Sequence, residues 1–196
     1  MISKLSRTAF FFALYFFSFA AIAHTGHAEE PLSFTAGFLH PLTGVDHLMA
    51  MLAVGMWSAM TTRRIWVAPL SFASLLLLGY VLGIIGLPIP AVESMIAASL
   101  FVIGLLLATQ AQLSLDVSAA LVGVFAVFHG AAHGTELANA SSVWTALLGV
   151  LAGTVLIHVA GLLLGRALMC HRRVWAQIVG GVVTVSGIGL LTGFVS

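Results

Sequence analysis

An all-α integral membrane protein is the fold class this sequence predicts: a signal peptide followed by six transmembrane helices. Three observations predict it. Hydrophobic residues make up 61% of the 196 and charged residues only 7%, whereas an ordinary soluble domain carries about 25% charged residues. Six apolar stretches follow residue 33, each near the ~20 residues a helix needs to cross a bilayer. The first residues have the basic, apolar and small-residue order of a secretory leader. The same composition excludes functions. A net charge of +1 offers no basic surface for nucleic acid. Lys4 is the only lysine, so no Walker-type phosphate loop exists and direct ATP hydrolysis is not expected. The lone Cys170 allows neither an intrachain disulfide nor a thiolate metal cage.

Residues 1–23 are read as the signal peptide, with Lys4 and Arg7 as the basic region, Ala9 to Phe19 as the apolar core and Ala21-Ile22-Ala23 as the cleavage site. An uncleaved anchor is the alternative, because the apolar run is long for a signal. Residues 24–33 form a periplasmic N-terminal segment. Cleavage after Ala23 would put a free amine beside the His24 imidazole, with His27, Glu29 and Glu30 close by. The segment is then either a solvated tail or a catcher of divalent metal. Residues 34–196 form a six-helix membrane domain, with spans at 34–60, 65–87, 92–110, 117–138, 143–168 and 174–194. The loops are short, so neighbouring helices run antiparallel.

Arginine placement orients these spans. Arg63 and Arg64 follow the first span, and Arg166, Arg172 and Arg173 surround the loop after the fifth, whereas the loops after the second and fourth carry no Lys or Arg. With the arginines inside, both the mature N-terminus and the C-terminus are periplasmic, the start that a signal peptide also predicts. Trp57, Trp66, Trp144 and Trp175 fall near span ends, as interfacial aromatics do. Gly79 and Gly83, Gly161 and Gly165, Gly180, Gly181, Gly187 and Gly189 are read as close helix-packing positions. Glu93 is either a helix-start carboxylate or a ligand at a mouth; His171 belongs to a solvated basic loop.

Two motifs carry the chemistry. In Phe128-His129-Gly130-Ala131-Ala132-His133-Gly134-Thr135-Glu136, helical spacing places His129, His133 and Glu136 on one face. Within a span each ionisable group costs on the order of 2.5–3.5 kcal/mol, so it calls for a partner or a ligand. The other motif is His40-Pro41-Leu42-Thr43-Gly44-Val45-Asp46-His47. Pro41 removes a backbone donor and Gly44 loosens the helix, so a kink or short break is expected. Irregular backbone at membrane depth survives only where it faces protein or a wet cavity. Counting ~1.5 Å per residue, Asp46, His47 and His129 fall near the bilayer middle, and His40 and Glu136 nearer the outside. One such histidine would be a hydrogen-bonded core residue; six ionisable groups at matched depth point to a site, the alternative being hydrogen bonds across a helix interface. Imidazole and carboxylate without thiolate suit Ni²⁺, Co²⁺, Zn²⁺ or Cu²⁺, and not Ca²⁺ or Mg²⁺. His158 in the fifth span is either an accessory residue of the path or a packed histidine. Spans one to three and four to six each begin with a motif-bearing helix, the plan of a 3+3 inverted repeat.

At both motifs the sequence resembles the HupE/UreJ family of hydrogenase and urease accessory membrane proteins. Its H-P-x-x-G-x-D-H and F-H-G-x-A-H-G-x-E patterns stand intact at 40–47 and 128–136, and Leu48 to Gly55 also look like the family. More distant nickel–cobalt transporters use a similar H-x4-D-H signature, with a spacing one residue shorter. The resemblance implies a signal peptide, six spans and a secondary permease for nickel, or cobalt, that supplies hydrogenase or urease maturation. By motif match it implies that His40, Asp46, His47, His129, His133 and Glu136 are the metal residues.

The function expected is therefore import of a divalent transition metal across the bacterial inner membrane, without catalysis and without a prosthetic group. The partners are the transported ion and the bilayer, with the maturation machinery served indirectly. The ion would pass from His24 and His27 to His40 and Glu136, then to Asp46, His47 and His129. The alternative is a metal-dependent intramembrane hydrolase, in which a His-bound zinc activates water and Glu136 or Asp46 is the general base. A metal sensor without transport is a third reading, and no large soluble loop or tail favours it.

Overall fold

The structure, a computed structural model, describes residues 33–61, 63–169 and 173–193. The signal-peptide reading of residues 1–23, the histidines His24 and His27, and the loop residues Cys170, His171 and Arg172 lie outside the described residues. Seven helices are described: α1 (Ser33–Thr43), α2 (Val45–Thr61), α3 (Val67–Ile84), α4 (Val92–Thr109), α5 (Leu115–Glu136), α6 (Val143–Met169) and α7 (Arg173–Leu191). No strand occurs among the described residues. Five helices, α3 to α7, are long and apolar enough to cross a membrane, which makes this a multi-pass architecture.

The stretch 34–60 is two helices, α1 and α2, with the break expected there between them. Pro41, inside α1, has no N–H to donate to the preceding turn. The Thr43 hydroxyl donates to the Leu39 and His40 carbonyls, both at 3.1 Å, competing with the ladder locally. The interruption is one residue wide. Gly44 N–H still donates to His40 O at 3.1 Å, and Leu48 N–H to Gly44 O at 2.9 Å. The chain therefore changes helix without exposing a long stretch of unpaired backbone.

Packing follows small residues. α1 and α2 lie against α6, α3 against α5, and α4 against α7. Exchanging α1 and α2 with α5, α3 with α6 and α4 with α7 maps these pairings onto one another. The α3/α5 pair is tightly packed where Gly79 meets the Val127 carbonyl, Gly130 the Leu76 carbonyl and Gly134 the Tyr80 carbonyl, positions where a Cβ would collide with backbone. Gly104, Gly180 and Gly187 do the same for α4 and α7. Gly181 does not: a Cβ there would meet open space, so it is not the packing position expected.

Polar side chains tie the helices at their ends. Tyr80 donates to Val143 O at 2.8 Å and Ser71 to Ala119 O at 2.7 Å. Trp57 corrects another expectation, since it is fully buried and its indole donates to Ala111 O at 2.9 Å. It locks α2 to the α4–α5 loop instead of resting at an interface. Trp66, Trp144 and Trp175 are exposed, as interfacial residues are.

Candidate metal centre

Helix α5 does two jobs through one repeat. Its spacing of four puts His129 and His133 on one face and Gly130 and Gly134 on the next. The glycines let α5 approach α3 backbone to backbone, and that approach fixes the height at which the imidazoles project. From the other side, the break at Gly44 lets α1 present His40 and α2 present Asp46 and His47. Gly44 is small for a reason at this point: a Cβ would stand 3.3 Å from both Asp46 Oδ1 and His47 Nδ1.

The two motifs meet. His40 Nε2 lies 2.5 Å from Glu136 Oε2, and ligand atoms of His40, His133 and Glu136 all fall within 4.8 Å of one another. Ring centroids run from His40 to His133 at 4.9 Å, from His133 to His47 at 4.4 Å and from His47 to His129 at 4.7 Å. All six motif residues are therefore brought into one continuous row. Its outer end is accessible, with His40 and Glu136 side chains 31% and 49% exposed. Its inner end is closed, with His129 and His133 at 0%.

Hydrogen bonds fix which ring atoms are left free. Asp46 Oδ1 accepts from both the backbone N–H and Nδ1 of His47, each at 2.8 Å. An ionised carboxylate only accepts, so Nδ1 carries the proton and Nε2 the lone pair. That Nε2 is buried without a hydrogen-bond partner, as are Nδ1 of His129 and both ring nitrogens of His133. An unmet buried acceptor costs roughly 1–3 kcal/mol, so several of them in contact form an arrangement that a cation would relieve. This donor set, imidazole with carboxylate, suits a borderline transition metal.

His158 is placed differently. It is buried, and its Nδ1 donates to Thr154 O at 2.8 Å, which leaves Nε2 unpartnered. The Phe72 ring is near both it and the row, with its centroid 5.0 Å from His158 and 5.4 Å from His129. Neither Phe72 nor Ser99, whose Oγ lies 2.9 Å from His129 Nε2, was legible as part of the site. A serine inside the apolar run 92–110 was the available signal for the second; one phenylalanine among 13 gave none for the first. Glu93 is a first-turn carboxylate of α4, as expected. With Asp46 and Ser94 it also lines an open cavity of about 260 Å³, so Asp46 joins that cavity to His47.

Comparison with known proteins agrees with the motifs. The family model described as HupE / UreJ protein matches residues 12–190. The chain is 40% identical over 176 residues to Protein HupE of Rhizobium leguminosarum bv. viciae, covering 88% of this chain and 91% of that protein. No solved structure matches.

Proposed function

Since the chain belongs to the HupE/UreJ family, we propose that it is a hydrogenase or urease accessory permease, importing nickel, or cobalt, as a secondary transporter in the bacterial inner membrane. The observation that carries this reading is the row of buried imidazoles with unpartnered ring nitrogens behind a partly exposed His–Glu pair. A resident structural metal would need one closed shell; a row of adjoining donors offers successive stations with ligands to exchange. His40 and Glu136 take the ion as it sheds water. His133 and His47 receive it next, with Asp46 balancing its charge, and His129 holds it deepest.

In the proposed topology α1 and α2 together make the first of six crossings, the signal peptide is removed, and both mature termini are periplasmic. His24 and His27 would then stand on the side from which the ion arrives. An inside-negative potential favours inward movement by about 2.3 kcal/mol per charge per 100 mV, and a divalent ion carries two charges. Family membership leaves the intramembrane hydrolase alternative without support.

The test is uptake of radioactive nickel and, separately, cobalt by cells lacking other importers, with wild type compared to His129→Ala and Asp46→Ala at equal membrane abundance. Accumulation by wild type and its loss in both variants supports the permease. No accumulation by wild type, with a functional metalloenzyme present as a sink, rejects it.

A further inference from the structure

Ser99 belongs to α4, outside both histidine motifs, and is 1% exposed. Its hydroxyl donates to the Ile96 carbonyl at 2.6 Å, one turn back in the same helix. The same Oγ stands 2.9 Å from His129 Nε2. A serine hydroxyl has one proton and two acceptor lone pairs. With the proton directed to Ile96 O, the second bond runs the other way, and His129 Nε2–H donates to Ser99 Oγ. A neutral imidazole carries one N–H, so the lone pair of His129 is on Nδ1. That atom is buried and has no hydrogen-bond partner.

We propose that Ser99 is a positioning residue: it locks His129 in the Nε2–H tautomer and so makes Nδ1 the atom that binds the divalent metal ion. The ligand half of this inference rests on the transport reading above; the tautomer half does not. His129 then differs from its neighbour His47, which is held through Nδ1 by Asp46 and presents Nε2. Two rings with centroids 4.7 Å apart thus leave opposite nitrogens unpartnered. The serine comes from a helix that packs mainly on α7, so the ring is fixed from outside its own α3/α5 pair. Hydrogen bonding of this kind sets ring orientation and ligand basicity in metal sites, and its loss typically costs about 10–100-fold in affinity.

The test uses the full chain in lipid nanodiscs, labelled with ¹⁵N-histidine and free of metal, with the His129 signals identified by their loss in His129→Gln. Nitrogen chemical shifts then report the tautomer. Wild type is expected as Nε2–H, and Ser99→Ala as a mixture or as Nδ1–H. Nickel titration of the same samples, at a temperature where both proteins are folded, should show Ser99→Ala weakened about 10–100-fold. If Ser99→Ala does not accumulate, Ser99→Cys takes its place, since it keeps the volume and offers only a weak acceptor. An Nδ1–H ring in wild type, or wild-type nickel affinity in the variant, overturns the proposal. If wild type binds no nickel, the transport reading and the ligand half fall together, and the nitrogen shifts alone decide the tautomer lock.

Discussion

His40 and Glu136 are 96 residues apart in the chain and meet Nε2 to Oε2 at 2.5 Å. The contact joins the end of α5 to the proline-interrupted end of α1, and it is the most accessible part of a row that closes on His129. Both ring nitrogens of His133 lack a hydrogen-bond partner, whereas His47 and His129 each keep one bonded and one unpartnered nitrogen.

Removing the charge at the outer end should affect capture more than turnover. Glu136→Gln keeps the hydrogen-bonding geometry and loses the negative charge that attracts a cation. Uptake at low nickel should fall roughly tenfold, the order expected for lost electrostatic focusing, with a smaller change in maximal rate. Initial rates across a nickel series measure this, and an unchanged concentration dependence would refute it.

A buried ring should matter for holding the ion itself. His133→Gln removes an imidazole whose two nitrogens have no hydrogen-bond partner, so folding loses no such bond. Nickel affinity, measured by calorimetry on purified protein, should fall by at least the ~10–100-fold seen when an outer hydrogen-bond partner is lost. Equal affinity would remove His133 from the row.

The motif glycines predict a stability effect separable from metal. Gly130→Val places side chain against the Leu76 carbonyl and should cost at least the ~1–3 kcal/mol of an overpacked core. Gly181→Ala meets open space and should be neutral or stabilising by up to ~1 kcal/mol. Thermal unfolding in detergent compares the two, and a Gly130→Val protein as stable as wild type would contradict the close α3/α5 packing.

The sequence made the two motifs legible because helical spacing and membrane depth both act along the chain. Spacing put His129, His133 and Glu136 on one face, and depth matched Asp46 and His47 to them. The break between α1 and α2 was legible for the same reason, since Pro41 and Gly44 are local signals. What spacing cannot report is a partner that arrives from another helix. Ser99 reaches His129 from α4 and Phe72 reaches it from α3. Trp57 misled in the opposite way: its position near a span end is also that of a loop-anchoring indole, and only the Ala111 carbonyl decides between them. Gly130 and Gly134 were absorbed into a histidine motif, so their packing surface went unread.

Ligand type predicts which ions stabilise the fold. Nickel or cobalt at about 100 times its dissociation constant should add about 2.7 kcal/mol and raise the unfolding midpoint. Calcium and magnesium at the same excess over that constant should not, because they prefer all-oxygen shells. A thermal-shift series tests this, and equal stabilisation by calcium would contradict an imidazole site.

Transport itself is tested most directly in a membrane that contains nothing else. Purified protein reconstituted into vesicles with a trapped metal-sensitive dye, under an inside-negative potential, should admit nickel or cobalt at a rate that scales with protein content. The His47→Ala and His129→Ala vesicles should admit little above the protein-free leak. If wild-type vesicles fill no faster than protein-free ones with either ion, under either sign of potential, the row of histidines is not a path for metal and the permease account is wrong.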